Sequence, residues 1–201
     1  MTTKEMDKMI AHFDKYFEQG DCTVLHPLEL TPHIDTLLYK PTEKYPFWKL
    51  VSMGASDYKM DAPKKALGDR NEYIMMIDPD EDMTDPVIAK WYYANLMEIA
   101  LYPIQNKCFL TYGHSIEWPA SDENEMVGAF LEFPQVIEDT GILRCKLGLF
   151  KTVICLQVVL LNQTEIEKLL KIGPQRFSEY LYPEDKSKPH FLCERKRSEK
   201  F

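Results

Sequence analysis

Met6, Met9, Ile10, Phe13 and Phe17 recur at i, i+3, i+4, i+7 and i+11, while Lys4, Asp7, Lys8, Asp14 and Lys15 fill much of the opposite face. This spacing predicts an amphipathic helix over residues 1–20, closed by Gly20 just past its end. From Asp21 the pattern changes to short apolar runs. Residues 23–30 and 33–39 read as strands punctuated by Pro27, Pro32 and Pro41. A proline inside the first of them marks an edge strand or an irregular start. Residues 47–53 form a further strand, closed by Gly54. Residues 56–71 are polar and broken by Pro63 and Gly68, so they read as a long loop of the kind that is often functional or mobile. Residues 72–77 return to strand, bounded by Asp78 and Pro79.

Asp85-Pro86 is a helix start: the carboxylate caps, and proline at the first helical position forfeits no bond. Val87, Ile88, Trp91, Tyr92, Leu96, Ile99 and Ala100 then supply about two apolar residues per turn up to Pro103, which predicts a helix lying flat on a sheet. Residues 109–118, 126–133, 142–148 and 151–161 read as four more strands, the last two as an antiparallel hairpin turning near Gly148. Thr164 and Glu167 have the spacing of a capping box, opening a helix that runs to Gly173. A short helix over 175–181 follows. Past Pro183 core-forming residues thin out. The chain divides into one domain, residues 1–183, and a polar, loosely ordered tail, 184–201. Eight strands, four helices and only one strand–long helix–strand arrangement give an α+β fold, not a doubly wound one.

With 201 residues, a single domain buries roughly 70% of its unfolded surface and needs no disulfide or metal staple. The chain has 24 Lys plus Arg against 32 Asp plus Glu, a net charge of −8. The tail carries six basic and four acidic residues, leaving 18 against 28 in residues 1–183, a net −10. That balance argues against a nucleic-acid backbone binder. The longest apolar run, 153–161, is nine residues and contains Gln157; crossing a bilayer takes about 20, so no membrane association is expected. The first eight residues mix both charges and lack the apolar segment of a secretory signal. Five cysteines without framework spacing then read as reduced thiols in the cytoplasm.

Candidate chemistry is thin. Asp78, Asp80 and Asp82 have the oxygen spacing of a calcium loop, but Met83 stands where glycine is needed and Ala89 where a bidentate glutamate is. Cys22, His26 and His33 offer zinc donors without a second close pair, so no metal is expected. Gly54-Ala55-Ser56-Asp57-Tyr58 starts like a nucleophile elbow and fails at Tyr58. His114 would be the matching base, so a small hydrolase using His114 with Ser56 or Asp57 stays open as an alternative. There is no glycine-rich phosphate loop and no cofactor signature. The basic run at 195–197 is flanked by Glu194 and Glu199 and reads as solvated.

Several segments, in order, resemble the suppressor of fused domain. Residues 47–56, Phe-Trp-Lys-Leu-Val-Ser-Met-Gly-Ala-Ser, are similar to its "f-x-x-L-V-T-x-G-M-S" strand and turn. Residues 72–79 resemble its "E-L-x-x-x-L-P" strand, Trp91 to Tyr102 its next helix, Tyr112 to Ile116 its "G-H-x-I" strand, and Leu160 to Glu165 its "L-x-x-x-E" segment. Ser52 and Ala55 depart from the motif, as does Ile77-Asp78-Pro79. The resemblance, over about residues 22–183, implies a mixed, mostly antiparallel central sheet flanked by helices and a non-enzymatic protein-binding module. The founding animal member grips a peptide by strand addition; stand-alone bacterial members look like immunity proteins that neutralise toxins. The acidic body suits a basic partner. Protein-binding positions are expected at Met53, Ser56 and Asp57, and at His114, Glu117 and Trp118. A structural adaptor or homodimer is the third reading.

Overall fold

The computed structural model describes residues 1–27, 32–119, 125–183 and 189–196. Among them the order is α1 (Thr3–Phe17), β1 (Thr23–Leu25), β2 (Asp35–Tyr39), β3 (Trp48–Met53), β4 (Asn71–Ile77), α2 (Pro86–Asn106), β5 (Ser115–Glu117), β6 (Gly128–Glu132), β7 (Arg144–Lys146), β8 (Thr152–Leu161), α3 (Gln163–Ile172) and α4 (Pro174–Leu181). The strands form one sheet ordered β1-β2-β3-β4-β8-β6-β5, with β7 also against β8. Among the described strands only the β4–β8 pair is parallel. The fold is the expected α+β arrangement of a mixed, mostly antiparallel sheet between helices.

Strand β8 is the spine. Its apolar run is buried on both faces, as a central strand requires. Residues 154–158 pair with β4, while β7 and β6 follow one another along the other side. Met9, Phe13 and Phe17 of α1 share one core with Ile166, Leu169, Phe177 and Leu181 of the last two helices. Tyr92, Leu96, Ile99 and Ala100 of α2 pack with Leu156, Val158 and Leu160 on the opposite face.

Several boundaries differ from the sequence reading. Helix α1 stops at Phe17 because Glu18 takes the left-handed conformation (φ 53°) and its N–H bonds to the Asp14 carbonyl, before Gly20 is reached. Pro103 lies inside α2. It forfeits one helical bond only a turn before the left-handed cap at Lys107, so the helix runs on to Asn106. The strand expected from 109 shrinks to 115–117: Leu110 is bound by the Asn71 side chain (2.9 Å), and His114 N–H closes a turn onto Thr111 at Gly113, φ +84°. The strand expected from 142 starts at Arg144, after a 3-10 turn capped by Asp139. The capping box of α3 sits two residues upstream of Thr164, where Asn162 caps the Glu165 amide and Glu165 reaches back. That residue follows β8 directly, and asparagine caps as well as threonine.

Within the tail, 189–196 is described, and Phe191, Leu192 and Cys193 are buried. Cys193 bridges Ile77 and bonds to Met76 and Asp78. Arg195 is held by Glu81 through its amide and its guanidinium (2.9 and 3.0 Å). This stretch is docked, not loose, because its three apolar residues extend the core beside β4. The expected strand residues 28–30 lie outside the described residues, as does Arg197.

Candidate functional site

The turn after β3 is built around one buried carboxylate. Glu72 Oε1 accepts from the amides of Gly54 (2.8 Å) and Ser56 (3.0 Å), and Oε2 accepts from Ser52 Oγ (2.6 Å). Ser52 Oγ in turn accepts from the Tyr73 amide. Burial pushes the Glu72 carboxyl up, against the pull of these donors. Gly54 has φ +129°, and a Cβ there would lie 2.8 Å from the His33 carbonyl, so only glycine fits. Arg70 donates to the Ser56 and Asp57 carbonyls (2.7 and 2.9 Å).

This brace occupies residues that the sequence reading placed on a binding surface. Met53 and Ser56 are buried, so neither offers a partner contact. Asp57 pairs with Lys151 (2.8 Å) and with the Met1 amino group. Burial raises its carboxyl, but Lys151 and the amine outweigh that and hold it below its ordinary value. These three residues fix the turn and tie it to α1 and to the β7–β8 hairpin.

The second group is elsewhere. Four strand spacings, about 19 Å, separate β3 from β5 across the sheet. Ser56 Oγ makes no hydrogen bond of normal geometry, and His114 is exposed beside Phe109, ring centroids 6.0 Å apart. The nucleophile–base pair of the hydrolase alternative is not assembled. The acidic run at 78–82 makes turns instead of a calcium loop: Asp78 accepts from the Asp80 amide, Asp82 from Thr84, and Glu81 holds Arg195.

At β5 the chain forms a usable surface. Among the described residues this strand ends the sheet and has a strand neighbour, β6, on one side only. The His114 carbonyl accepts from the Leu131 amide and the Trp118 amide donates to the Val127 carbonyl, so both bonds point inward. By the alternation of an antiparallel ladder, the backbone groups of Ser115 and Glu117 therefore face outward. Between β5 and α2 lies an open groove of about 580 Å³, lined by Trp91, Asn95, Glu98, Tyr102, Glu117 and Trp118 among others. Trp118 is fixed by its indole N–H, which donates to the Met126 carbonyl (2.8 Å). Glu98 and Glu117 are exposed, and no described lining residue is basic. Of the expected positions, Glu117 and Trp118 line this groove, whereas His114 lies outside it. Trp91, Asn95, Glu98 and Tyr102 were missed. Their i, i+4, i+7, i+11 spacing marks one helical face, but its mixed polar and aromatic character hides it beside the apolar stripe.

The profile described as Suppressor of fused protein (SUFU) matches residues 31–191. The chain belongs to the suppressor of fused family. Members of this family mediate protein–protein interaction. Three solved structures are similar in fold. The putative SUFU homolog from Neisseria gonorrhoeae has a TM-score of 0.67 at 13% identity, covering 98% of this chain and 97% of that one. The Sufu-Fu complex gives 0.66 at 17% identity, covering 96% and 91%. Drosophila Suppressor of Fused gives 0.69 at 17% identity, covering 97% of this chain but 51% of the other, so this family member corresponds to about half of the fly protein. Among curated proteins, none matches this chain in sequence. No described helix is long and apolar enough to cross a membrane.

Proposed function

We propose that this family member works by stoichiometric protein binding, with the β5 edge and the adjoining groove holding an extended, basic segment of its partner. The observation that supports this reading is the outward backbone of Ser115 and Glu117 beside two aromatic indoles and two carboxylates. An added strand would pair with those backbone groups, and its alternate side chains would enter the groove. A lysine or arginine there meets aromatic faces and negative charge together. The solved Sufu-Fu complex is that of a fold relative bound to a protein.

The setting we propose is an antidote, neutralising a toxin domain through this surface. Co-expression with the toxin domain encoded beside its own gene tests it. The expected result is an equimolar complex that removes the toxicity. Glu117→Lys and Trp118→Ala are each expected to weaken that complex by at least about 2 kcal/mol, as central interface anchors do. A 1:1 complex indifferent to both substitutions would move the interface off this edge. A neighbouring toxin that neither binds nor is neutralised would end the antidote reading.

A further inference from the structure

We propose that His26, His33 and Asp35 form a divalent transition-metal site. His26 follows β1, whose register pairs Leu25 with Thr36, so His26 stands across from Asp35. His33 lies two residues before Asp35 in extended chain, and the pleat puts such residues on one side of the sheet. Three donors from two neighbouring segments thus converge. His26 Nδ1 and His33 Nε2 approach the same oxygen, Asp35 Oδ1, at 2.8 and 2.7 Å. All three ligand atoms lie within 4.8 Å of one another, the one such group among the described residues.

The chemistry of the set fits a borderline ion. Two imidazoles and a carboxylate suit Zn²⁺, Ni²⁺ or Cu²⁺, not calcium or magnesium, which take oxygen ligands. Metal bonds near 2.1 Å in a tetrahedron require donors about 3.4 Å apart, so each histidine contact with Asp35 must open by roughly 0.6–0.7 Å. The imidazoles can give that distance, since both side chains are more than half exposed, while Asp35 is anchored at 4% exposure. The rings are nearly parallel (19°, centroids 6.3 Å apart). Cys22, the sequence-level partner of His26, is excluded by the same geometry. Four residues along an extended strand span about 13 Å, and the Cys22 thiol is beside Tyr39. A three-ligand site leaves a fourth position open to water or to another molecule. It also adjoins the braced turn, because Asp35 pairs with Met53 and the His33 carbonyl packs on Gly54.

Isothermal titration of the full chain with Zn²⁺ tests the site, in the wild type and in His26→Ala, His33→Ala and Cys22→Ser. The half-exposed histidines leave the core intact, which circular dichroism checks. The expected result is one Zn²⁺ per chain in the wild type and in Cys22→Ser, with affinity lowered at least about tenfold in each histidine variant. No binding by the wild type, unchanged affinity in the histidine variants, or loss in Cys22→Ser would overturn the assignment. Each readout concerns the free chain, so it stands apart from the partner-binding proposal.

Discussion

Lys49 carries a charge that the core does not reward. It lies in β3 on the same face as Phe47, Val51 and Met53, is fully buried, and places Nζ 3.3 Å from Gln19 Oε1 and over the rings of Phe17 and Phe47 (5.6 and 5.9 Å). Burial lowers its pKa to about 8, against the opposing pull of Asp21. Between about pH 8 and 10.4 the unfolded chain therefore binds the proton that the folded chain releases, so stability rises with pH across that window. The shift corresponds to about 3 kcal/mol withheld at pH 7. Lys49→Met keeps the length of the side chain and drops the charge. Chemical denaturation is expected to show a gain approaching that size at pH 7, shrinking by half or more at pH 9.5. A variant less stable than wild type at pH 7 would mean that Gln19 and the two rings satisfy the ammonium after all.

Elements were more legible than their ends. The period of 3.6 locates α1, the Asp85-Pro86 start and dense apolar content locate α2, and continuous apolar runs locate β3, β4 and β8 because these strands are buried on both faces. Ends failed where a local contact decided them: the left-handed Glu18, Asn162 capping in place of Thr164, and Leu110 held by Asn71 instead of by a strand. Of the groove's lining, Glu117 and Trp118 were among the positions named from the sequence, although the motif there, Tyr112 to Ile116, stops short of both. Met53 and Ser56 were misplaced because a motif records residues kept for the brace around Glu72 as readily as residues that face a partner. Gly128 in β6 makes the β5 edge itself testable. A Cβ there would lie 2.6 Å from the Ile116 carbonyl and equally close to Ile166 Cδ1. The isoleucine tip can turn aside, but the backbone oxygen moves only with its strand. Gly128→Ala is thus expected to cost about 1–3 kcal/mol and to quicken amide exchange at Trp118, whose N–H donates to the Val127 carbonyl, while α1 stays protected. Unchanged exchange there would show that β5 is not held by this contact.

At the scale of the whole molecule, charge and groove address different rate constants. The net −10 of residues 1–183 acts at long range and would attract the proposed basic partner before contact. At 0.15 M salt the screening length is about 8 Å, so most of that attraction is removed under physiological conditions. Glu98 and Glu117 lie in the groove, where a bound partner excludes solvent and salt screens little. The association rate of the complex is therefore expected to fall on the order of tenfold between 10 mM and 150 mM salt, with a much smaller change in dissociation. Replacing Glu98 and Glu117 together by glutamine removes two charges out of many, so it is expected to leave the salt slope of association nearly intact and to speed dissociation. Stopped-flow association and surface-bound dissociation separate the two effects. An association rate flat in salt would remove long-range steering from the account. A double variant that only slowed association would place its carboxylates on the rim, outside the surface that the partner covers.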